Sequence, residues 1–160
     1  MRFLLTTLLL LIGTLGVVEI AFAMTPEELN KQCQKGEAWA CFNLGNMYDN
    51  GEGVKQDSFK AAELYRQACD GKDALGCSNL GVMYSKGKGV TQDYFKAVEL
   101  YRQACDGKNA LGCSNLGVMY EFGTGVRQSR EDALTFYGKA CDLKNEKGCT
   151  NYARLKTGRK

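Results

Sequence analysis

The chain has 160 residues, a formal charge of +3, one proline and no histidine. That length fits one domain, and the charge is too small to argue for nucleic acid or an anionic membrane surface as partner. Without histidine the usual general base and the commonest zinc ligand are both missing, whereas the eight cysteines call for an oxidising compartment or a metal.

The first segment answers that choice. Arg2 precedes a leucine-rich apolar run from Phe3 to Val18, and Ala21-Phe22-Ala23 fits a small-x-small cleavage site. We expect residues 1–23 to be a signal peptide cut after Ala23, with the mature chain starting at Met24. A transmembrane helix is the other reading of this run. It falls short of about 20 apolar residues, and Glu19 sits late in it. No cysteine adjoins the cleavage site, so no lipid anchor is expected there. The expected location is the periplasm or the cell exterior, where disulfides persist, with no membrane insertion after cleavage.

Thr25-Pro26-Glu27-Glu28 opens the mature chain as a capping box with proline at the first helical position. This predicts a lone helix of the type here called B. Beyond it the cysteines fall in four C-x7-C doublets, each 36 residues after the last. Residues 63–84 and 99–120 differ only at Asp73 and Asn109. A duplicated structural unit follows. Each unit holds two helices. Helix A is predicted over Ala38–Tyr48, Ala74–Tyr84, Ala110–Tyr120 and Lys147–Lys156, and helix B over Ser58–Cys69, Tyr94–Cys105 and Arg130–Cys141, from apolar residues at helical spacing. The apolar face of the middle helix B is Ala97, Leu100, Tyr101 and Ala104. Gly-x-Gly-Val turns at 51, 87 and 123 separate A from B. A phosphate loop is the rival reading of Gly-x-Gly, but no strand precedes these turns. Gly45, Gly81 and Gly117 lie inside helix A, where glycine costs about 1 kcal/mol against alanine, so a neighbouring helix is expected to approach there. The Met-Tyr pairs at 47/48, 83/84 and 119/120 are expected in the core, and Trp39, which replaces Leu75 and Leu111, at the core or its rim.

The order of small residue, Leu-Gly-x-Met-Tyr, Gly-x-Gly-Val and Lys-Ala-x-x-Leu-Tyr-x-x-Ala resembles the Sel1-like repeat, a 36-residue relative of the tetratricopeptide repeat. With a C-x7-C doublet in every unit it is similar to the Helicobacter cysteine-rich proteins, which are exported Sel1-like solenoids. The resemblance covers essentially the whole mature chain and implies an all-α fold, a right-handed α/α solenoid with one disulfide per repeat. The solenoid is expected over 24–160, with repeats near 33–68, 69–104 and 105–140 and a partial capping repeat over 141–160. The third copy departs from the pattern at Arg130-Glu131-Asp132. The last copy ends after helix A in polar residues (Arg154, Lys156, Arg159, Lys160), as a cap should.

Two regular cysteine pairings are compatible with the period. One joins Cys33 to Cys41, Cys69 to Cys77, Cys105 to Cys113 and Cys141 to Cys149. The other joins Cys41 to Cys69, Cys77 to Cys105 and Cys113 to Cys141, leaving Cys33 and Cys149 as free thiols in an oxidising space. We prefer the first because it strands none. Each such bridge closes a short loop and should contribute roughly 2.5 kcal/mol on the chain-entropy model. Metal binding is disfavoured because C-x2-C spacing is absent. No metal and no cofactor is expected.

Stacked helix pairs curve, and helix A lines the inner groove in tetratricopeptide-like folds. Cys41 must face the preceding helix B, so Asn43, about 200° further round, points away from it. The same holds for Asn79, Asn115 and Asn151. These form an expected ladder of ligand-binding amides, flanked by Ser78 and Ser114 and by the variable Phe42, Thr150, Asn46, Val82 and Val118. Amides that donate and accept together suit an extended peptide backbone. The competing role is a hydrogen bond from each asparagine to the next repeat's backbone. Expected partners are a peptide or protein, or a peptidoglycan or β-lactam-like small molecule. Nucleic acid is not expected. The resemblance also implies penicillin binding and slow β-lactamase activity as an alternative function. The S-x-x-K spacing occurs once, at Ser85 and Lys88 where helix A gives way to a Gly-x-Gly turn, and Lys156-Thr157-Gly158 is an isolated match to a second β-lactamase element. No catalytic residue can be nominated.

Overall fold

The computed structural model describes residues 24–158. The expected signal peptide, its cut after Ala23, and the basic pair Arg159 and Lys160 lie outside the described residues. Eight α-helices and no strand occur among the described residues: α1 (Pro26–Gln34), α2 (Ala38–Asn50), α3 (Ser58–Asp70), α4 (Ala74–Lys86), α5 (Tyr94–Asp106), α6 (Ala110–Phe122), α7 (Arg130–Asp142) and α8 (Glu146–Thr157). They alternate B, A, B, A along the chain. None is long and apolar enough to cross a membrane.

Local chemistry sets each boundary. At the start of α1, Thr25 Oγ1 accepts from Glu28 N while Glu28 Oε2 accepts from Thr25 N at 2.9 Å, so both halves of the capping box form. Asp57, Asp93 and Ser129 cap the later B helices. Asp73, Asn109 and Asn145 cap α4, α6 and α8, each accepting a backbone N–H of the first turn. Asp73 and Asn109 are therefore interchangeable, because both carry an oxygen that meets the first-turn amides. The A helices run two residues past the predicted tyrosines. What stops them is not the last apolar residue but a left-handed glycine: Gly51, Gly87 and Gly123 return their N–H to Met47, Met83 and Met119 O.

Two kinds of joint hold the stack. Within a hairpin, helix A packs closely and extensively on the helix B that follows it. A Cβ on Gly45, Gly81 or Gly117 would stand only 2.7–2.8 Å from the ring of Tyr65, Tyr101 or Tyr137. The expected close approach is thus a buried tyrosine lying flat on the preceding helix. Between hairpins, helix B meets the next helix A over a smaller area. There Gly76 and Gly148 lie against Ala68 and Ala140, where a Cβ would come within 2.6 Å of the alanine methyl. The disulfides Cys33–Cys41, Cys69–Cys77, Cys105–Cys113 and Cys141–Cys149 cross these thinner joints, with Cα atoms 4.4–4.7 Å apart, and no described cysteine is free.

The core runs through all the units. Leu44, Leu80 and Leu116 are its centre, with Met83 and Met119 beside them. Met47 and the tyrosines Tyr48, Tyr84 and Tyr120, expected inside, are only partly buried. Successive A helices touch directly, α4 with α6 and α6 with α8, while successive B helices make no comparable contact. A stack whose A row is the more closely spaced bends toward that row, so the A helices line the concave face.

Candidate functional site

Residues four, three and four apart share one face of an α-helix. On the A helices this places Trp39, Asn43, Asn46 and Asn50 in one column, then Leu75, Asn79, Val82 and Lys86, then Leu111, Asn115, Val118 and Phe122. Side by side, the columns make rows across the concave face. The outermost row is apolar and open: Trp39, Leu75 and Leu111 are 43, 47 and 54 % exposed. Trp39, expected at the core or its rim, stands on this rim, its indole N–H donating to Glu37 Oε2 at 3.3 Å.

The asparagines form the second row, but they are not equivalent. Asn43 is exposed and its amide donates to Trp39 O in its own helix. Asn79 donates to Asn46 Oδ1 of the preceding repeat at 3.3 Å. Asn115 and Asn151 are half-buried, with no side-chain hydrogen bond among the described residues. Among the described residues none bonds the next repeat's backbone. Ser78 and Ser114 must be corrected. Both are buried, so their hydroxyls are not offered to a ligand. The equivalent Phe42 packs against the cluster that holds Leu80 and Met83 of the following repeat, and Thr150, with no described repeat beyond it, is exposed.

Beside the third row, Asn46, Ser85 and Glu121 make contacts that the sequence reading missed. The Tyr65 hydroxyl donates to Asn46 Oδ1 at 2.7 Å, Tyr101 to Ser85 Oγ at 3.3 Å and Tyr137 to Glu121 Oε2 at 2.8 Å. Burial raises the pKa of all three phenols, Tyr65 to about 12, and the Glu121 carboxylate adds to the rise at Tyr137. Ion pairs then link neighbouring repeats: Lys88 Nζ lies 2.6 Å from Asp49 Oδ1, and Arg154 Nη2 lies 2.7 Å from both Glu121 oxygens. The variation at 46, 82, 118 and 154, which reads as drift in one repeat, was the available signal for this pairing. Asn46 and Arg154 carry bridges, whereas Val82 and Val118 leave the α4/α6 junction without a polar bridge among the described residues.

The face is therefore tied by polar bridges at α2/α4 and α6/α8, with an apolar middle beside the open amide of Asn115. A cavity of about 140 Å³ opens between α2 and α4, lined by Asp49, Tyr65, Asn79, Val82, Met83, Lys86 and Lys88. This arrangement can donate, accept and bury apolar groups. Lys156-Thr157-Gly158 lies elsewhere, at the end of α8. There the Thr157 hydroxyl donates to Ala153 O at 2.9 Å and Lys156 Nζ lies over the Tyr152 ring. Among the described residues no group of three or more cysteines, aspartates or glutamates is placed to hold a metal.

Comparison with known proteins gives a consistent answer. A search of curated sequences returns no match. Among solved structures, the chain superposes on a protective antigen of uropathogenic Escherichia coli displaying an SLR fold, with a TM-score of 0.74 at 30% identity, covering 78% of this chain and 27% of that one. A Sel1 repeat protein from Oxalobacter formigenes gives 0.76 at 25% identity, covering 80% and 53%. Helicobacter pylori cysteine rich protein B gives 0.62 at 29% identity, covering 80% and 97%. The chain thus spans about a quarter and about half of the first two. The Sel1 repeat model matches residues 40–73, 74–109 and 110–145, each opening at helix A, so that the tightly packed hairpin is the unit. On this match over most of its length, the chain belongs to the Sel1 repeat family.

Proposed function

We propose that the protein is an exported interaction scaffold whose A-helix face holds an extended segment of a peptide or protein partner. Sel1 repeats generally mediate protein–protein interaction, and a disulfide-stapled solenoid fits that role. One observation carries the reading to this face: exposed Trp39, Leu75 and Leu111 run beside amides of which Asn115 is unengaged. Apolar side chains of a strand-like segment would sit on the first row, and its backbone would pair with the second. The four disulfides suit an extracytoplasmic site; signal cleavage after Ala23, and release to the periplasm or beyond it, completes this reading.

Peptides selected from a random library against the oxidised protein provide the test. A selected peptide should bind saturably in fluorescence polarisation, and Asn115→Ala should weaken it by about 10-fold with no fall in melting temperature. Failure to enrich any peptide, or binding indifferent to Asn115 and Leu111, rejects the proposal. No observation on this face favours β-lactam turnover. A chromogenic cephalosporin assay of the same preparation separates that alternative, since turnover that follows the protein through purification and is lost on a point substitution would establish it.

A further inference from the structure

We infer that the opposite, B-helix side carries a second binding site: a slot between α3 and α5 that accepts one aromatic side chain of a protein partner. The slot measures about 220 Å³. Buried Leu80 and Cys69 and the partly buried Leu100 and Tyr84 line it, with exposed Arg66 and Lys96. A cavity of about 150 Å³ suffices for a benzene ring, so this one takes a phenyl or phenol group.

The molecule itself shows which group fits. One repeat further on, the equivalent position is filled from within. There Phe136 replaces Leu100 and stacks on Tyr120, with ring centroids 5.4 Å apart and planes inclined by 13°. Arg102 closes over the pair, 2.6 Å from the Tyr120 hydroxyl and 5.7 Å from the Phe136 centroid. Phe136 is buried by this arrangement. At the middle junction the tyrosine and the arginine are both retained: Arg66 Nη2 lies 3.3 Å from the Tyr84 hydroxyl. Only the ring between them is absent, because leucine is too short to fill the space. Two cations and two anions, Arg66, Lys96, Asp70 and Glu99, surround the slot, so its charge is balanced and favours a neutral ring over an anion. Aromatic stacking under a guanidinium is also favourable in itself.

A second feature marks the same surface as a docking face. Phe59 and Phe95 are 78 and 73 % exposed. Phe95 stands one turn before Glu99 on α5, and Phe59 two turns before Arg66 on α3, on the helix faces that border the slot. Exposed aromatic rings beside an apolar recess are typical of an interface that needs a partner to cover it. This site is independent of the concave face.

N-acetyl-L-phenylalaninamide titrated into the oxidised full chain, followed by NMR of methyl and aromatic signals, tests the slot. The expected result is saturable shifts at Leu80, Leu100 and Tyr84, absent with N-acetyl-L-alaninamide. Leu100→Phe should fill the slot as the third repeat does and weaken the probe by about 10-fold or more. Arg66→Gln, at an exposed site, should weaken it several-fold and guards against a packing failure in the first variant. An absence of saturable shifts, equal shifts with the alanine probe, or shifts unchanged in both variants overturns the proposal.

Discussion

Gly81 has no room for a methyl group. Alanine there would gain about 1 kcal/mol of helix propensity, yet its Cβ would stand 2.7 Å from the Tyr101 ring. That ring is buried and cannot swing aside without opening the hairpin. We expect Gly81→Ala to destabilise by about 1–3 kcal/mol, read as a lower urea midpoint; an unchanged or higher midpoint would show that the tyrosine has slack. The same rings give a signature in pH. Tyr65, Tyr101 and Tyr137 each hold their proton more tightly when folded, chiefly because they are buried. Below pH 10, the ordinary phenol value, folded and unfolded chains are both protonated and the contribution is complete. Above it the unfolded chain ionises first, so stability should fall as pH rises from 10 toward 12. A urea midpoint flat across that window would contradict the burial of the phenols.

Elements were legible to different degrees. The alternation of A and B helices followed from one period, because a 36-residue repeat with apolar residues at helical spacing leaves few other folds. Helix ends were less legible, since the glycines Gly51, Gly87 and Gly123 let each helix run two residues beyond its Met-Tyr pair. The disulfides belong to this scale as well. They cross the joints where helix B meets the next helix A, the smaller of the two contacts in the stack, and so supplement packing where it is thinnest. They are not equally sheltered. The first three pairs are buried, and Gln67 and Gln103 lay their amide oxygens 3.2 and 3.4 Å from Cys33 and Cys69 Sγ, whereas Cys141 and Cys149 are partly exposed. Limited reduction with trapping of new thiols should therefore label Cys141 and Cys149 first. Simultaneous labelling of all eight cysteines, or earlier opening of another bridge, would contradict this order.

At the scale of the whole molecule, the A helices form the inner surface and the B helices the outer one, and each presents apolar groups for its own reason. Much of the inner face could be read in advance: the spacing from Cys41 puts Asn43 away from the core. What could not be read was which amide stays unengaged, because that depends on partners in adjacent repeats, such as Asn46 for Asn79. The buried serines were misplaced for a similar cause. A small residue after cysteine looks like surface in one repeat and becomes interior only when the next repeat is stacked on it. The outer slot was invisible to the sequence, since Leu100 and Phe136 are both ordinary core residues until their volumes are compared in place. The inner face is the surface on which the proposed function depends. Amide chemical-shift mapping of the uniformly labelled protein with a selected peptide tests it most directly. Perturbations should concentrate along α4 and α6 around Leu75, Asn79, Leu111 and Asn115 and leave the exposed faces of α3 and α5 unmoved; perturbations confined to the B helices, or scattered without a continuous path along the A helices, would contradict it.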